Sequence, residues 1–207
     1  LSRENQIKKI IFASSSAVYG DDPNFPLKEN SNKLNPLSYY ASSKLKNEEM
    51  SKEVFKELKI YGLRLFNMYG NLLGLNTDTN YASVIPKWIS NFKNNKKCTI
   101  FGDGESQRDF CYVNDLCEFL EILIDTNSKS GIYNFCTGVS YSIQSLHDIM
   151  KKIFMKSNKN FIFQKPAFSD FIEGEIKISY GDTTLLKEEF NYVPKTLLES
   201  GLKKIIK

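Results

Sequence analysis

The chain has 207 residues, 41% of them apolar and 25% charged, which is enough for one or two globular domains and contains no run that reads as a membrane span. Its formal charge of +4 rests on 25 lysines against 3 arginines, and the lysines are scattered rather than grouped with aromatics, which argues against nucleic-acid binding. Cys98, Cys111, Cys117 and Cys136 lack CxxC spacing and stand in apolar surroundings, and the one histidine, His147, is predicted on a helix surface. Together these imply reduced core thiols in a cytoplasmic protein and no metal centre.

The opening residues Leu1-Ser2-Arg3-Glu4-Asn5-Gln6 carry neither an initiating Met nor an apolar signal core, so the chain reads as starting inside a longer one. The run Ile10-Ile11-Phe12-Ala13 is continuous, apolar and β-branched, which predicts a short buried strand, and it stops at Ser14-Ser15-Ser16. A parallel strand delivers whatever follows its carboxyl end to the ligand crevice, so these hydroxyls are candidate substrate contacts. A loop punctuated by Pro23, Pro26 and Pro36 leads to a stretch over residues 40–58 without Gly or Pro, predicted as a helix with Tyr40 and Lys44 on one face. An ordinary tyrosine titrates near pH ~10, so a phenolate base at neutral pH needs about 4 kcal/mol of stabilisation, which a neighbouring ammonium can supply. Roughly one Tyr-x-x-x-Lys is expected by chance in this composition, so the weight falls on the serine cluster upstream and the helix beneath.

Residues 60–66 are predicted as the next strand, and residues 67–80, with Gly70 and Gly74, as a long loop at a strand end and a candidate substrate loop. A helix over 81–92, a strand over 98–101 and a tight turn over 102–105 follow. Beyond these come a helix over 115–124, a strand over 132–136 and an amphipathic helix over 142–154 with Ile143, Leu146, Ile149 and Ile153 on one face. The tail is predicted to hold a strand over 161–163 and short helices starting at Thr183 and Thr196. Strands and helices alternate throughout, which is the α/β pattern. Because Arg is scarce, Arg64 and Arg108 are candidate forks for phosphate or carboxylate, with a structural ion pair as the alternative for Arg64.

Four runs, Ser14-Ser15-Ser16-Ala17-Val18-Tyr19-Gly20-Asp21, Tyr40-Ala41-Ser42-Ser43-Lys44, Leu63-Arg64-Leu65-Phe66-Asn67-Met68-Tyr69-Gly70 and Gly102-Asp103-Gly104-Glu105-Ser106-Gln107-Arg108-Asp109-Phe110, resemble the extended short-chain dehydrogenase/reductase family (NAD-dependent epimerase/dehydratase) in the same order. Through Tyr81-Ala82-Ser83-Val84-Ile85-Pro86-Lys87-Trp88 and Arg108-Asp109-Phe110-Cys111-Tyr112-Val113 the chain is most similar to UDP-N-acetylglucosamine 4-epimerases. The resemblance implies the carboxyl-terminal part of a Rossmann-type doubly wound parallel sheet plus a smaller α/β substrate-binding domain. Residues 1–67 would be the second half of the NAD-binding domain, with segments near 111–136 returning to it, and residues 68–207 mainly the substrate domain. The glycine-rich turn that meets the NAD pyrophosphate does not occur in this sequence, so the resemblance places it upstream and implies that these residues alone are inactive.

The resemblance also implies roles. Ser15 is the catalytic hydroxyl, Ser16 a second sugar contact and Ser14 lies near the cofactor; Tyr40 is the base, and Lys44 its partner, also holding the nicotinamide ribose; Phe66 borders the nicotinamide. Asn67, Arg108 and Lys177 face the diphosphate, Ser83, Val84 and Trp88 the nucleotide, and Ser179 the sugar. For Trp88 alone, a core anchor is the competing reading. Ser15, Ser16 and Ala17 stand where dehydratases of the family carry Thr-Asp-Glu, so the acid for elimination is missing. Tyr39 and Leu65 replace a usual Pro and Tyr, Ser140 replaces an Arg or polar residue, and Ile172 replaces the second arginine of the diphosphate clamp, leaving Lys177 as the next basic group. The implied activity is interconversion of UDP-N-acetylglucosamine and UDP-N-acetylgalactosamine, or their uronic acids, through a 4-keto sugar in a homodimer. The alternatives are a UDP-glucose 4-epimerase, another nucleotide-sugar epimerase or decarboxylase, or a non-catalytic or truncated relative.

Overall fold

In the computed structural model, residues 7–54, 58–70, 83–171 and 174–206 are described. The predicted first strand is β1 (Lys9–Ser15), which runs directly into a 3-10 turn (Ser16–Tyr19). After the proline-punctuated loop comes α1 (Tyr39–Val54), then β2 (Lys59–Leu65), with Leu58 in a bend rather than in the helix. β1 and β2 pair in parallel, Lys9 opposite Lys59 through Ser15 opposite Leu65. The sheet is extended by β6 (Gly131–Phe135), parallel to β2. Gly62 lies between Phe12 and Ile132 on neighbouring strands, and a Cβ there would stand 2.5 Å from Ile132 Cδ1 and 2.6 Å from Phe12 Cζ. Its missing side chain lets two large apolar groups meet over the sheet.

A second sheet is built around β5 (Gln107–Tyr112), which pairs in parallel with β3 (Asn67–Tyr69) and β9 (Ile178–Ser179) and antiparallel with β7 (Ser140–Ser142). The loop predicted over 67–80 therefore begins as a strand; its residues 71–80 lie outside the described residues, as do Tyr81, Ala82 and Ile172. The helix predicted over 81–92 is described as α2 (Val84–Lys93), and α3 (Val113–Asp125) follows β5 without a loop. A two-stranded parallel pair joins β4 (Thr99–Phe101) to β8 (Ala167–Ser169). The strand predicted over 161–163 is not one. Phe161 packs on Phe92 and Phe154 and Phe163 on His147, so their alternation reflects side-chain packing without a ladder. The chain ends with α5 (Thr184–Phe190) and α6 (Leu198–Ile205).

Two apolar clusters hold these elements. One gathers Tyr61, Leu63, Phe119, Phe135 and Leu186 about the first sheet; the other gathers Trp88, Phe92, Leu146, Met150 and Leu202. The second includes α4 (Ile143–Ser157), whose buried face carries Leu146, His147, Met150, Ile153 and Phe154. His147 is 1% exposed, not on the helix surface as predicted, because it shares the stripe of Met150 and Phe154 at helical spacing. Cys98, Cys111 and Cys136 are buried, but Cys117 is exposed, since it lies on the outer side of α3 away from Phe119 and Leu123.

Candidate active site

The carboxyl end of β1 places the three serines at the mouth of the first sheet. Ser15 caps the 3-10 turn, its hydroxyl accepting from the Ala17 N–H at 3.2 Å, and Gly20 closes the turn at φ 60°. A side chain at Gly20 would put Cβ 1.8 Å from the Asn35 carbonyl oxygen, so the turn requires glycine twice over. The Ser38 hydroxyl accepts from the Ala41 N–H at 3.1 Å and starts α1. One turn into that helix Lys44 Nζ lies 5.5 Å from the Tyr40 ring centroid and donates to the Ala13 carbonyl at 2.8 Å. Phenol and ammonium thus share the face that their spacing predicts, at the end of β1, and Tyr40 is 57% exposed.

Ser14 points elsewhere. Its hydroxyl is buried and donates to Glu48 Oε1, whose carboxylate also receives Arg64 Nε at 3.0 Å and Nη2 at 2.7 Å. Arg64 is therefore a bidentate ion pair inside the protein, the structural alternative of the two readings. Burial works against its charge, but Glu48 and Tyr19 together outweigh that and hold the guanidinium above its ordinary pKa. The same guanidinium lies 4.7 Å from the Tyr19 ring centroid. Tyr19 donates to Asn134 Oδ1 at 2.7 Å, while Asn134 donates from Nδ2 to the Leu27 carbonyl at 2.9 Å and from its backbone N–H to Glu29 at 2.8 Å. Burial pushes the Glu29 carboxyl up.

The second sheet gathers a different set. Asn67 Nδ2 donates to the Asp109 carbonyl at 3.1 Å, and Ser179 is the register partner of Arg108. Arg108 Nη2 pairs with Glu175 at 2.8 Å and Nη1 donates to the Gln107 and Lys177 carbonyls at 2.9 and 3.1 Å. Burial lowers the Arg108 pKa against the pull of Glu175. Lys177 is exposed, with Nζ 5.7 Å from the Phe171 ring centroid. Ser83 precedes the first turn of α2 and Val84 begins it, whereas Trp88 is 3% exposed and packs edge-on against His147 at 5.4 Å, a core anchor in this state. The two sets are joined directly. Leu27 bonds Tyr180 and Asp182 through its backbone at 3.0 and 2.8 Å, Phe25 stacks on Tyr180 at 5.5 Å, and Phe66 packs under Gly181. A cavity of about 240 Å³ opens beside this junction between Asp21, Phe25, Glu175 and Lys177.

Chemically, the first set offers a phenol, an ammonium and serine hydroxyls; the second offers a carboxamide and cations suited to an anion. The exposed Tyr40 hydroxyl and Lys44 ammonium, at the carboxyl ends of parallel strands, fit the hydroxyls of a cofactor's ribose. Among the described residues no group of His, Cys, Asp and Glu is arranged to hold a metal ion, and no helix is long and apolar enough to cross a membrane. Sequence reading missed Glu48, Asn134 and Glu175; for Glu48 the available signal was its place one turn beyond Lys44 on the same helix.

The family model described as the NAD dependent epimerase/dehydratase family matches residues 1–136. A Methanocaldococcus jannaschii protein, provisionally named a UDP-glucose 4-epimerase, is 35% identical over 210 residues, spanning 100% of this chain and 64% of its own length. Among solved structures, a UDP-N-acetylglucosamine 4-epimerase from Methanobrevibacter ruminantium in complex with UDP-N-acetylmuramic acid superposes with a TM-score of 0.88 at 34% identity. The UDP-glucose 4-epimerase of Thermotoga maritima with UDP-glucose gives 0.87 at 27%. Each match covers 99% of this chain and 64% of the other, so the chain spans just under two thirds of the length of its relatives.

Proposed function

Because the chain belongs to the NAD dependent epimerase/dehydratase family, we propose that the complete protein is an NAD-dependent nucleotide-sugar 4-epimerase acting on UDP-N-acetylglucosamine and UDP-N-acetylgalactosamine. The observation that carries this reading is the Tyr40–Lys44 pair beside the serine end of β1. Tyr40 takes the proton from the sugar 4-hydroxyl and returns it, Ser15 and Ser16 hold that hydroxyl, and Lys44 keeps a positive charge beside the phenol. Bound NAD supplies the acceptor and donor of the C4 hydride. Tyr40, Lys44 and Phe66 border its nicotinamide end, whereas Ser14 is taken up by Glu48. Ala17 offers no proton to a leaving hydroxyl, which favours epimerisation over elimination. Asn67, Arg108 and Lys177 face the diphosphate and Ser83 and Val84 the nucleotide, with Trp88 buried behind them as a core anchor. We assign residues 1–67 and the segments near 111–136 to the cofactor side and the rest mainly to the substrate side, a division supported by the two apolar clusters.

Ser179 supports the choice of sugar. It is small, its strand abuts Arg108, and a small residue at the sugar wall leaves room for an acetamido group that a large ring would fill. The likeness to a UDP-N-acetylglucosamine 4-epimerase supports the same choice. The test is an assay of the complete protein on acetylated and non-acetylated UDP-hexoses. Tyr40→Phe should cost on the order of 10²–10⁴-fold in kcat with the fold intact, and Ser179→Tyr should lose the acetylated substrate selectively. Wild-type turnover in Tyr40→Phe would remove the proposed base, and a preference for UDP-glucose in the parent would remove the gate.

A further inference from the structure

The residues at the end of the first sheet form a polar row. Ser14, Arg64 and Asn134 are register partners on β1, β2 and β6, so their side chains leave the sheet on one face, next to one another. An apolar row is the ordinary content of a sheet covered by a helix. Here the row is met from above by Glu48, 0% exposed, which accepts from Ser14 and twice from Arg64. Lys44, one turn earlier on α1, donates to Ala13, the neighbour of Ser14. Tyr40 stands one further turn back on the same face. Two successive turns of α1 thus grip two successive residues of β1, and a slip of the helix by one turn, about 5.4 Å, would break both grips.

We propose that Glu48 is a positioning residue: through Ser14 it fixes α1 along β1 and so sets the place of Tyr40 and Lys44 relative to Ser15 and Ser16. This rests on the assignment of Tyr40 as the base. Charge balance alone would need only Arg64. The bond to Ser14 adds a link between helix and strand that an ion pair does not require, and it is this link that a test can isolate. Ser14→Ala removes it while leaving the Glu48–Arg64 pair whole, and Ser14→Thr keeps the hydroxyl.

In the complete protein, Ser14→Ala should lower kcat by about 10–100-fold, the scale of a misplacement near 1 Å. KM should stay within about twofold, and Ser14→Thr should restore most of the rate. If Ser14 acts through Glu48, the double variant Ser14→Ala/Glu48→Met, in which position 48 has no oxygen to accept from Ser14, should be no slower than Glu48→Met alone. Hydrogen exchange gives a readout without turnover: amides of α1 around Tyr40 and Lys44 should exchange faster in Ser14→Ala and normally in Ser14→Thr. A Ser14→Ala enzyme with wild-type kcat, or one whose loss adds in full to that of Glu48→Met, would overturn the proposal and leave Glu48 as a counter-ion. Should the parent protein turn over no UDP-hexose, the assignment of function fails; the exchange comparison then decides the positioning, with unchanged exchange in Ser14→Ala overturning it.

Discussion

Glu48 and His147 are both buried and are treated in opposite ways. Glu48, at the end of the first sheet, has both carboxylate oxygens engaged, by Ser14 and by the Arg64 fork. His147, in the second cluster, is enclosed by Trp88, Phe92 and Phe163 at 5.4, 5.5 and 6.0 Å between ring centroids, and neither ring nitrogen has a hydrogen-bond partner. A buried ion survives when it is paired and bonded; a buried imidazole survives by staying neutral. The sheet end is therefore sensitive to the loss of a partner, and the aromatic box to the arrival of a proton.

The largest effect should come from breaking the pair. Arg64→Met leaves the Glu48 carboxylate without its counter-charge inside the protein and should cost about 3–5 kcal/mol in urea unfolding, whereas replacing both members with apolar residues should cost far less. Equal losses in the single and double variants would show that the fork contributes by packing. A smaller effect is expected one residue along the row. Tyr19→Phe strands Asn134 Oδ1, which accepts the phenol at 2.7 Å, and should cost roughly 1–3 kcal/mol in the same assay. An unchanged midpoint would mean that Asn134 finds another donor.

The two regions also differed in how much of them the sequence disclosed. The strand, serine cluster and helix were legible because each is a local pattern: a β-branched run, a stop at small polar residues, and Tyr40 and Lys44 four apart. Glu48 was not, because it looks like any helix glutamate until parallel register brings Ser14 and Arg64 side by side beneath it. β5 was hidden for a similar reason. It opens with Gln107, Arg108 and Asp109, and Asp109 is buried only because the Thr137 N–H, the Thr137 hydroxyl and the Gly138 N–H close on it at 3.0, 2.6 and 2.9 Å. Burial still pushes that carboxyl up, against those bonds. His147 was misplaced by assuming that a lone polar residue on an amphipathic helix faces water, when three aromatic neighbours, Trp88 and Phe92 from α2 and Phe163 from beyond α4, decide otherwise only in three dimensions.

The finest test of the comparison is therefore acid. Burial lowers the His147 pKa below its ordinary value of 6.5; Asp148, with Oδ1 3.5 Å from Nδ1 but no hydrogen bond, pulls it up, and Lys151, whose Nζ lies 4.0 Å from the Phe163 ring centroid, pushes it down. The folded state thus binds this proton less readily than the unfolded state. Stability contributed by the neutral ring is fully present above pH 6.5 and is lost as pH falls from there through the folded pKa, at no more than about 1.4 kcal/mol per pH unit for one proton. His147→Phe, which fills the box with an apolar ring, should flatten that limb of the stability profile while leaving stability above pH 7 nearly unchanged. Trp88, the single tryptophan of these 207 residues, stands edge-on to the imidazole and supplies an optical check. Its emission should fall as His147 gains its charge, before the fold is lost, and should be flat over the same range in His147→Phe. An acid limb that persists unchanged in that variant would show that His147 does not carry it and would remove the contrast between the two regions.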